Sequence, residues 1–232
     1  ASSKTDPRAM ARKAWYARAF PDHPYGTPTN GTEEGVGGIT VEDMEEMRAE
    51  LLTRSSATVG IVGDVDVEAA GALVDTILAD LPEGDPHTAE TVAGTPPPGT
   101  EVVALDVPQS AAIFGHAGID RDDPDFIPAY VMNYILGGGG LSTRLMEEVR
   151  EKRGLAYGVY SYLQDLDAAN LYLGSVQTAN DRMAESLDVI RAEWTRMRDE
   201  GVTEEELDRA KKYLTGAFAL RFDSNAKIAG YL

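Results

Sequence analysis

"ILGGGGLSTRLMEEVREKRGLAYGVYS", residues 135–161, places four consecutive glycines, a charged amphipathic stretch and a tyrosine-rich run within twenty-seven residues. The glycines follow the helical pattern of "DFIPAYVMNYIL". Beyond them, Leu141, Leu145 and Val149 recur at i, i+4 and i+8, which predicts a helix that buries this stripe and carries Arg144, Glu147, Glu148 and Arg150 on its flanks. Gly154 is expected to end that helix. A strand from Leu155 would put Leu155, Tyr157, Val159 and Ser161 on one face, with Ala156, Tyr160 and Tyr162 on the other. Arg150 and Tyr157 then stand on either side of a tight helix-to-strand reversal. There a guanidinium and a phenol can converge on a carbonyl oxygen that gains negative charge. The competing reading is a solvated ion pair for the arginine and a core-rim position for the tyrosine.

Gly137, Gly138, Gly139 and Gly140 raise the question of phosphate binding, because amides at a helix N-terminus can cradle an anion. A P-loop needs a preceding strand and a terminal G-K-[ST], whereas these glycines follow a helix and run into Leu141-Ser142-Thr143 without lysine. Two readings remain: a flexible connection between helices, and a stretch of bare backbone that an extended peptide can approach.

Working outward, "LAYGVYSYL" and "ANLYLGSVQT" are β-formers separated by "QDLDAA" and predict an antiparallel hairpin. Met183, Leu187, Ile190, Trp194 and Met197 make one helical stripe ended by Gly201, and Thr203 with Glu206 forms a capping box for a last helix, with Val202 and Leu207 placed to staple it. Before the quoted stretch, "EVVALDV" and "SAAIFGHAGI" read as strands. "LPEGDPHTAETVAGTPPPGT", from Leu81, has five prolines and almost no large apolar residue, so 82–100 reads as an interdomain linker between segments 1–81 and 101–232. In the first segment a helix capped by Thr40, a buried strand "ATVGIVG" and a helix over about 67–80 with Leu73, Ile77 and Leu81 on one face are expected. Strands and helices come in separate runs, which favours an α+β fold with helices on one face of a mainly antiparallel sheet.

Two modest domains suit 232 residues better than one large one, and no apolar run approaches the ~20 residues that span a bilayer. A net charge of -18 opposes nucleic acid and anionic lipid and favours cationic peptides. Without cysteine there is no thiolate nucleophile, disulfide or cysteine metal site, and the compartment stays open. The chain opens without methionine and stops within helical sequence, which reads as a fragment of a longer chain.

The stretch "LGGGGLSTRLMEEVREKRGLAYGVYS" resembles the second-domain signature of the pitrilysin/insulinase family of zinc metallopeptidases, especially bacterial members related to mitochondrial processing peptidase. "DHPYGTPTNGTEEGVGGITVEDM" with "ATVGIVGDVD" resembles the later half of that family's first domain, and "DEGVTEEELDRAKKYLTGAFAL" the late helices of its second. The resemblance implies two similarly folded layered α+β domains, with clamshell halves around a chamber for unfolded peptides. It assigns Arg150 and Tyr157 to holding substrate near a zinc ion bound in another domain or subunit, and Gly137–Gly140 to substrate handling.

The family's zinc site is H-x-x-E-H plus a downstream glutamate, and this sequence has no such motif: none of His23, His87 and His116 has a second histidine four residues on. The motif would lie upstream of Ala1, or else the protein lends Arg150 and Tyr157 to a zinc-bearing partner as a homodimer or heterodimer. The "TDP…HPYG" opening resembles the non-zinc partner of paired bacterial members and favours the second. The resulting expectation is a component of a zinc-dependent endopeptidase. The alternative is a noncatalytic structural subunit, like family members that became core proteins of respiratory complexes.

Overall fold

The computed structural model describes residues 5–84 and 90–232. In chain order the elements are α1 (Pro7–Ala19), α2 (Glu33–Gly38), α3 (Val41–Leu51), α4 (Val67–Ile77), β1 (Gln109–Ala117) and α5 (Phe126–Asn133). Two π-helical segments follow, Tyr134–Gly138 and Met146–Glu151, and then β2 (Gly158–Leu166), β3 (Ala169–Ala179), α6 (Met183–Glu200), α7 (Glu204–Ala219) and α8 (Asn225–Ala229). Two compact units emerge: Ala1–Asn30 with Glu90–Lys211, and Gly31–Ala89 with Lys212–Leu232. These units cut across the segments expected from the proline-rich stretch.

In the first unit the three strands pair antiparallel in the order β1-β3-β2, so β3 is central. Period-2 alternation sends Tyr172 and Val176 of β3, Val159 of β2 and Ala112 and Phe114 of β1 to one face, where they join Leu136, Leu145, Met146, Val149, Ile190 and Met197. Met183, Leu187 and Trp194 complete the α6 stripe against this core, as their spacing predicts. Gly201 at φ 70° ends α6, and Thr203 and Glu206 exchange the two capping-box bonds, with Thr203 N–H donating to Glu206 Oε2 (2.8 Å) and Glu206 N–H to Thr203 Oγ1 (3.2 Å).

The opposite sheet face, Leu171 and Leu173 of β3 with Ile113 and Tyr162, is covered by Trp15, Ala19 and Phe20. This is why residues 5–30 belong to the unit. Helix α1 starts on Asp6, whose carboxylate caps Arg8 N–H, with Pro7 in the first turn. Within the expected linker, Val92 N–H donates to Ala168 O (2.7 Å), and a Cβ on Gly94 would strike Phe20 and Leu171. That part of the stretch is docked on the unit.

In the second unit Thr40 and Asp43 form a full capping box for α3, and Asp66 caps α4. The strand expected over "ATVGIVG" is not formed. No described strand lies beside it to complete a ladder, and Val59 and Ile61 are exposed. "EVVALDV" departs from expectation in the same way, with Val102 exposed and pairing starting only at Gln109. Leu73 and Ile77 of α4 are exposed too.

Candidate functional site

The reversal between Met146–Glu151 and β2 is built from an over-wound helix end. Lys152 N–H reaches back five residues to Glu147 O (2.9 Å). Gly154 at φ +60° then turns the chain, while the Gly154 and Leu155 amides donate to Arg150 O and Val149 O. Arg182 Nη1 donates to Gly154 O (2.7 Å) and Thr178 Oγ1 to Leu155 O, which pins the turn to the end of β3. Because Leu155 and Ala156 are both buried, the alternation expected from Leu155 is broken and the strand begins at Gly158. Tyr157 is left outside at 83% exposure.

Arg150 and Tyr157 are nonetheless brought together. The guanidinium carbon lies over the Tyr157 ring at 4.9 Å from its centroid, within cation–π range, and Nε contacts Glu151 Oε1 at 3.2 Å. The neighbouring charges are engaged elsewhere: Lys152 with Glu147 (2.9 Å) and Glu148 (2.6 Å), and Arg153 with Glu148 and its carbonyl (2.8 Å). Hydrogen bonds from Lys152, then from Arg153, hold the Glu148 carboxyl below the usual carboxylate range. The arrangement offers one fixed positive charge and one phenol at the surface, a pair able to grip a carbonyl or carboxylate oxygen.

The flank assignments are corrected in two places. Leu141 is 68% exposed, outside the buried stripe it was expected to join. Arg144 is buried, with Nε and Nη2 each 2.6 Å from the two carboxylate oxygens of Glu206 and Nη2 also donating to Gly201 O (2.9 Å). That bidentate pair, led by the Arg144 hydrogen bond, lowers Glu206 to about 2.

The glycines are not a flexible joint. Gly137 and Gly138 continue the helix as a π-turn, and a Cβ at Gly137 would lie 2.7 Å from Ser161 N and 2.9 Å from Leu145 Cδ1. Gly139 is packed on Tyr134 and Gly138 on Asn133, while Gly140 faces open space at φ +72°. Beneath them Ser161 Oγ donates to Asn133 Oδ1 (2.7 Å), and burial pushes the Tyr172 phenol up to about 12. The nearest neighbours of Gly137–Gly139 are thus Asn133, Tyr134, Leu145 and Ser161. Helix-to-sheet packing meets Gly137, whereas Gly138 and Gly139 are crowded by Asn133 and Tyr134 of the preceding helical turn.

The described residues do not fit a zinc ion. His23 Nδ1 accepts Tyr25 N–H (3.2 Å) and its ring packs on Tyr25, whereas His116 Nδ1 lies 2.6 Å from Ala117 O with its ring on Tyr172. His87 lies outside the described residues. Among those described, no three of His, Asp and Glu gather as a metal site, and no helix is long and apolar enough to cross a membrane.

The site thus sits in an antiparallel sheet layered with helices, beside a glycine-rich π-turn and an arginine–tyrosine pair. Residues 38–214 match the peptidase M16 inactive domain, and the chain belongs to that family. It is 28% identical over 213 residues to the non-peptidase homolog YmxG of Helicobacter pylori, covering 91% of this chain and 49% of that protein. To an uncharacterized zinc protease of Mycobacterium leprae it is 31% identical over 229 residues, covering 95% of this chain and 51% of the relative. The crystal structure of a peptidase M16 inactive domain from Pseudomonas fluorescens superposes with a TM-score of 0.90 at 33% identity, over 99% of this chain and 55% of that one. The chain spans about half the length of the relatives it matches.

Proposed function

We propose that this chain is a noncatalytic component of a peptidase M16 assembly that holds extended peptides and does not cleave them itself. The observation that carries the reading is Arg150 poised over the exposed Tyr157 ring at 4.9 Å on a surface whose described residues offer no zinc ligands. The match to the inactive domain and the similarity to a protein named a non-peptidase homolog support the noncatalytic part. In this reading the guanidinium and phenol grip a peptide carbonyl, and hydrolysis, where it occurs, belongs to a zinc site outside these residues, in a partner or in further sequence.

A purely structural role is the second reading, favoured by the absence of any metal-ligand group among the described residues. The experiment that separates the two is fluorescence anisotropy of labelled cationic peptides with the protein, with and without added zinc, alongside mass spectrometry of the peptides. Binding without cleavage supports the proposal. No binding supports the structural role, and cleavage by the chain alone contradicts both.

A further inference from the structure

A helix N-terminus disfavours cations, because the macrodipole is positive there, and it is normally capped by a short oxygen-bearing side chain. Helix α6 breaks both rules: the residue before Met183 is Arg182, and its side chain makes no capping bond. The guanidinium is turned to another element instead, with Nη1 donating to Gly154 O at 2.7 Å. Local rules are broken where a demand from elsewhere in the molecule outweighs them.

Gly154 is the left-handed residue of the reversal, at φ +60°, and stands three residues before Tyr157. The next carbonyl, Leu155 O, accepts from Thr178 Oγ1 at the end of β3, so two successive peptide units are held from the β3–α6 side. A hydrogen bond from a charged donor is roughly twice as strong as a neutral one, which makes Arg182 the firmer of the two holds. Arg182 itself stands on a fixed base. The short turn Asn180–Arg182 is tied to the start of β1 by Asn180, whose Oδ1 accepts from Ser110 Oγ (2.8 Å) and whose Nδ2 donates to Val107 O (2.8 Å). On the helix side, the Gly154 and Leu155 amides are already fixed by Arg150 O and Val149 O, both at 2.9 Å. The carbonyl side of the same two residues depends on Arg182 and Thr178.

We propose that Arg182 is a positioning residue for the Arg150–Tyr157 pair: by holding the Gly154 carbonyl from the start of α6, it sets where Tyr157 emerges against the Arg150 guanidinium. This rests on the peptide-holding reading above. Arg182 touches no peptide in this account and acts through the placement of Tyr157.

The test compares wild type with Arg182→Ala, Arg182→Lys, Arg150→Ala and the double variant lacking both arginines. Arg182 is exposed, so its replacement empties no core. Two quantities are read: by NMR without peptide, the ring-current shift that Tyr157 imposes on the Arg150 side-chain protons; and by fluorescence anisotropy, the dissociation constant of a labelled peptide of alternating threonine and valine with lysine at both ends. Arg182→Ala is expected to diminish the ring-current shift and to weaken peptide binding at least ~5-fold, with the urea midpoint unchanged. Arg182→Lys, which keeps a charged donor, is expected to retain most of both. In the Arg150→Ala background, removing Arg182 is expected to change affinity less than ~2-fold, because the pair it serves is already broken.

An unchanged ring-current shift in Arg182→Ala overturns the proposal whatever the affinity does. Losses that multiply in the double variant place Arg182 on the peptide itself and overturn it too. A fall in urea stability that matches the fall in affinity, or a loss in Arg182→Lys as large as in Arg182→Ala, has the same consequence. The two readings fail separately: affinity indifferent to Arg150→Ala removes the peptide grip, while the ring-current shift, read without peptide, decides whether Arg182 positions the pair.

Discussion

The Arg150 guanidinium carbon stands 4.9 Å from the centre of the Tyr157 ring, across a helix end, a left-handed glycine and two buried residues. The contact needs each of these parts. The over-wound helix end and Gly154 reverse the chain, and burial of Leu155 and Ala156 fixes where it re-emerges. Tyr157 is largely exposed and Arg150 is half-buried with its guanidinium against the ring, so a ligand reaches the pair from the tyrosine side.

Arg150→Ala and Tyr157→Phe are therefore expected to change binding far more than folding. Stability by urea denaturation should stay within ~0.5 kcal/mol of wild type for both, as for surface substitutions generally. Peptide affinity should fall ~10-fold or more for Arg150→Ala, which removes a charged donor, and less for Tyr157→Phe, which keeps the ring. An affinity change matched by an equal loss of stability would assign both residues to the fold alone.

Gly137→Ala is expected to destabilise by ~1–3 kcal/mol, because its methyl meets Ser161 and Leu145 in a packed interface. Gly140→Ala faces open space and should cost ~1 kcal/mol through its φ of +72° alone. Thermal denaturation of both variants checks the difference in cause: enlarging residue 137 from alanine to valine should cost more again, whereas Gly140→Asn should recover most of its loss.

Glu206 sits well below its ordinary value of 4.5, at about 2, because Arg144 hydrogen-bonds its charged form. A carboxyl depressed on folding stabilises fully above the unfolded value, and that contribution drains away as pH falls from about 4.5 to about 2. Glu206→Gln should thus be less stable than wild type at pH 7, with the gap narrowing below pH 4 in urea titrations. Arg144→Ala, which leaves the carboxylate in its pocket unpaired, should cost ~3 kcal/mol at pH 7.

Gly154→Ala tests the reversal itself. The left-handed φ of +60° costs a side chain ~1 kcal/mol, and relief of that strain would shift Tyr157 relative to Arg150. Peptide affinity should drop in this variant although residue 154 touches no ligand in the account, while Gly154→Asn should keep more of it.

Much of the second half of the chain was legible because its signals are local. The α6 stripe, the Thr203–Glu206 box, the β2–β3 hairpin and the convergence of Arg150 with Tyr157 all follow from spacing, caps and turns. Helix α1 was missed although Asp6-Pro7 is a cap followed by a first-turn proline, because its Trp15, Ala19 and Phe20 find their partners some 150 residues away on β3. Arg144 reads as a flank residue because helical periodicity cannot see the Glu206 carboxylate 62 residues on. The glycines misled for a related reason: composition reads as flexibility, whereas Gly137 serves the close approach of a π-turn to Ser161. "ATVGIVG" has the composition of a strand but no described neighbour to pair with.

The central claim is that this chain holds peptides through Arg150 and Tyr157 without hydrolysing them. The most direct measurement is the dissociation constant of a labelled cationic peptide for wild type and for Arg150→Ala, with the peptide recovered and weighed afterwards. The account predicts intact peptide in both cases and an affinity lower by ~10-fold or more in the variant. Equal affinities, or cleaved peptide from the wild-type chain alone, would contradict it.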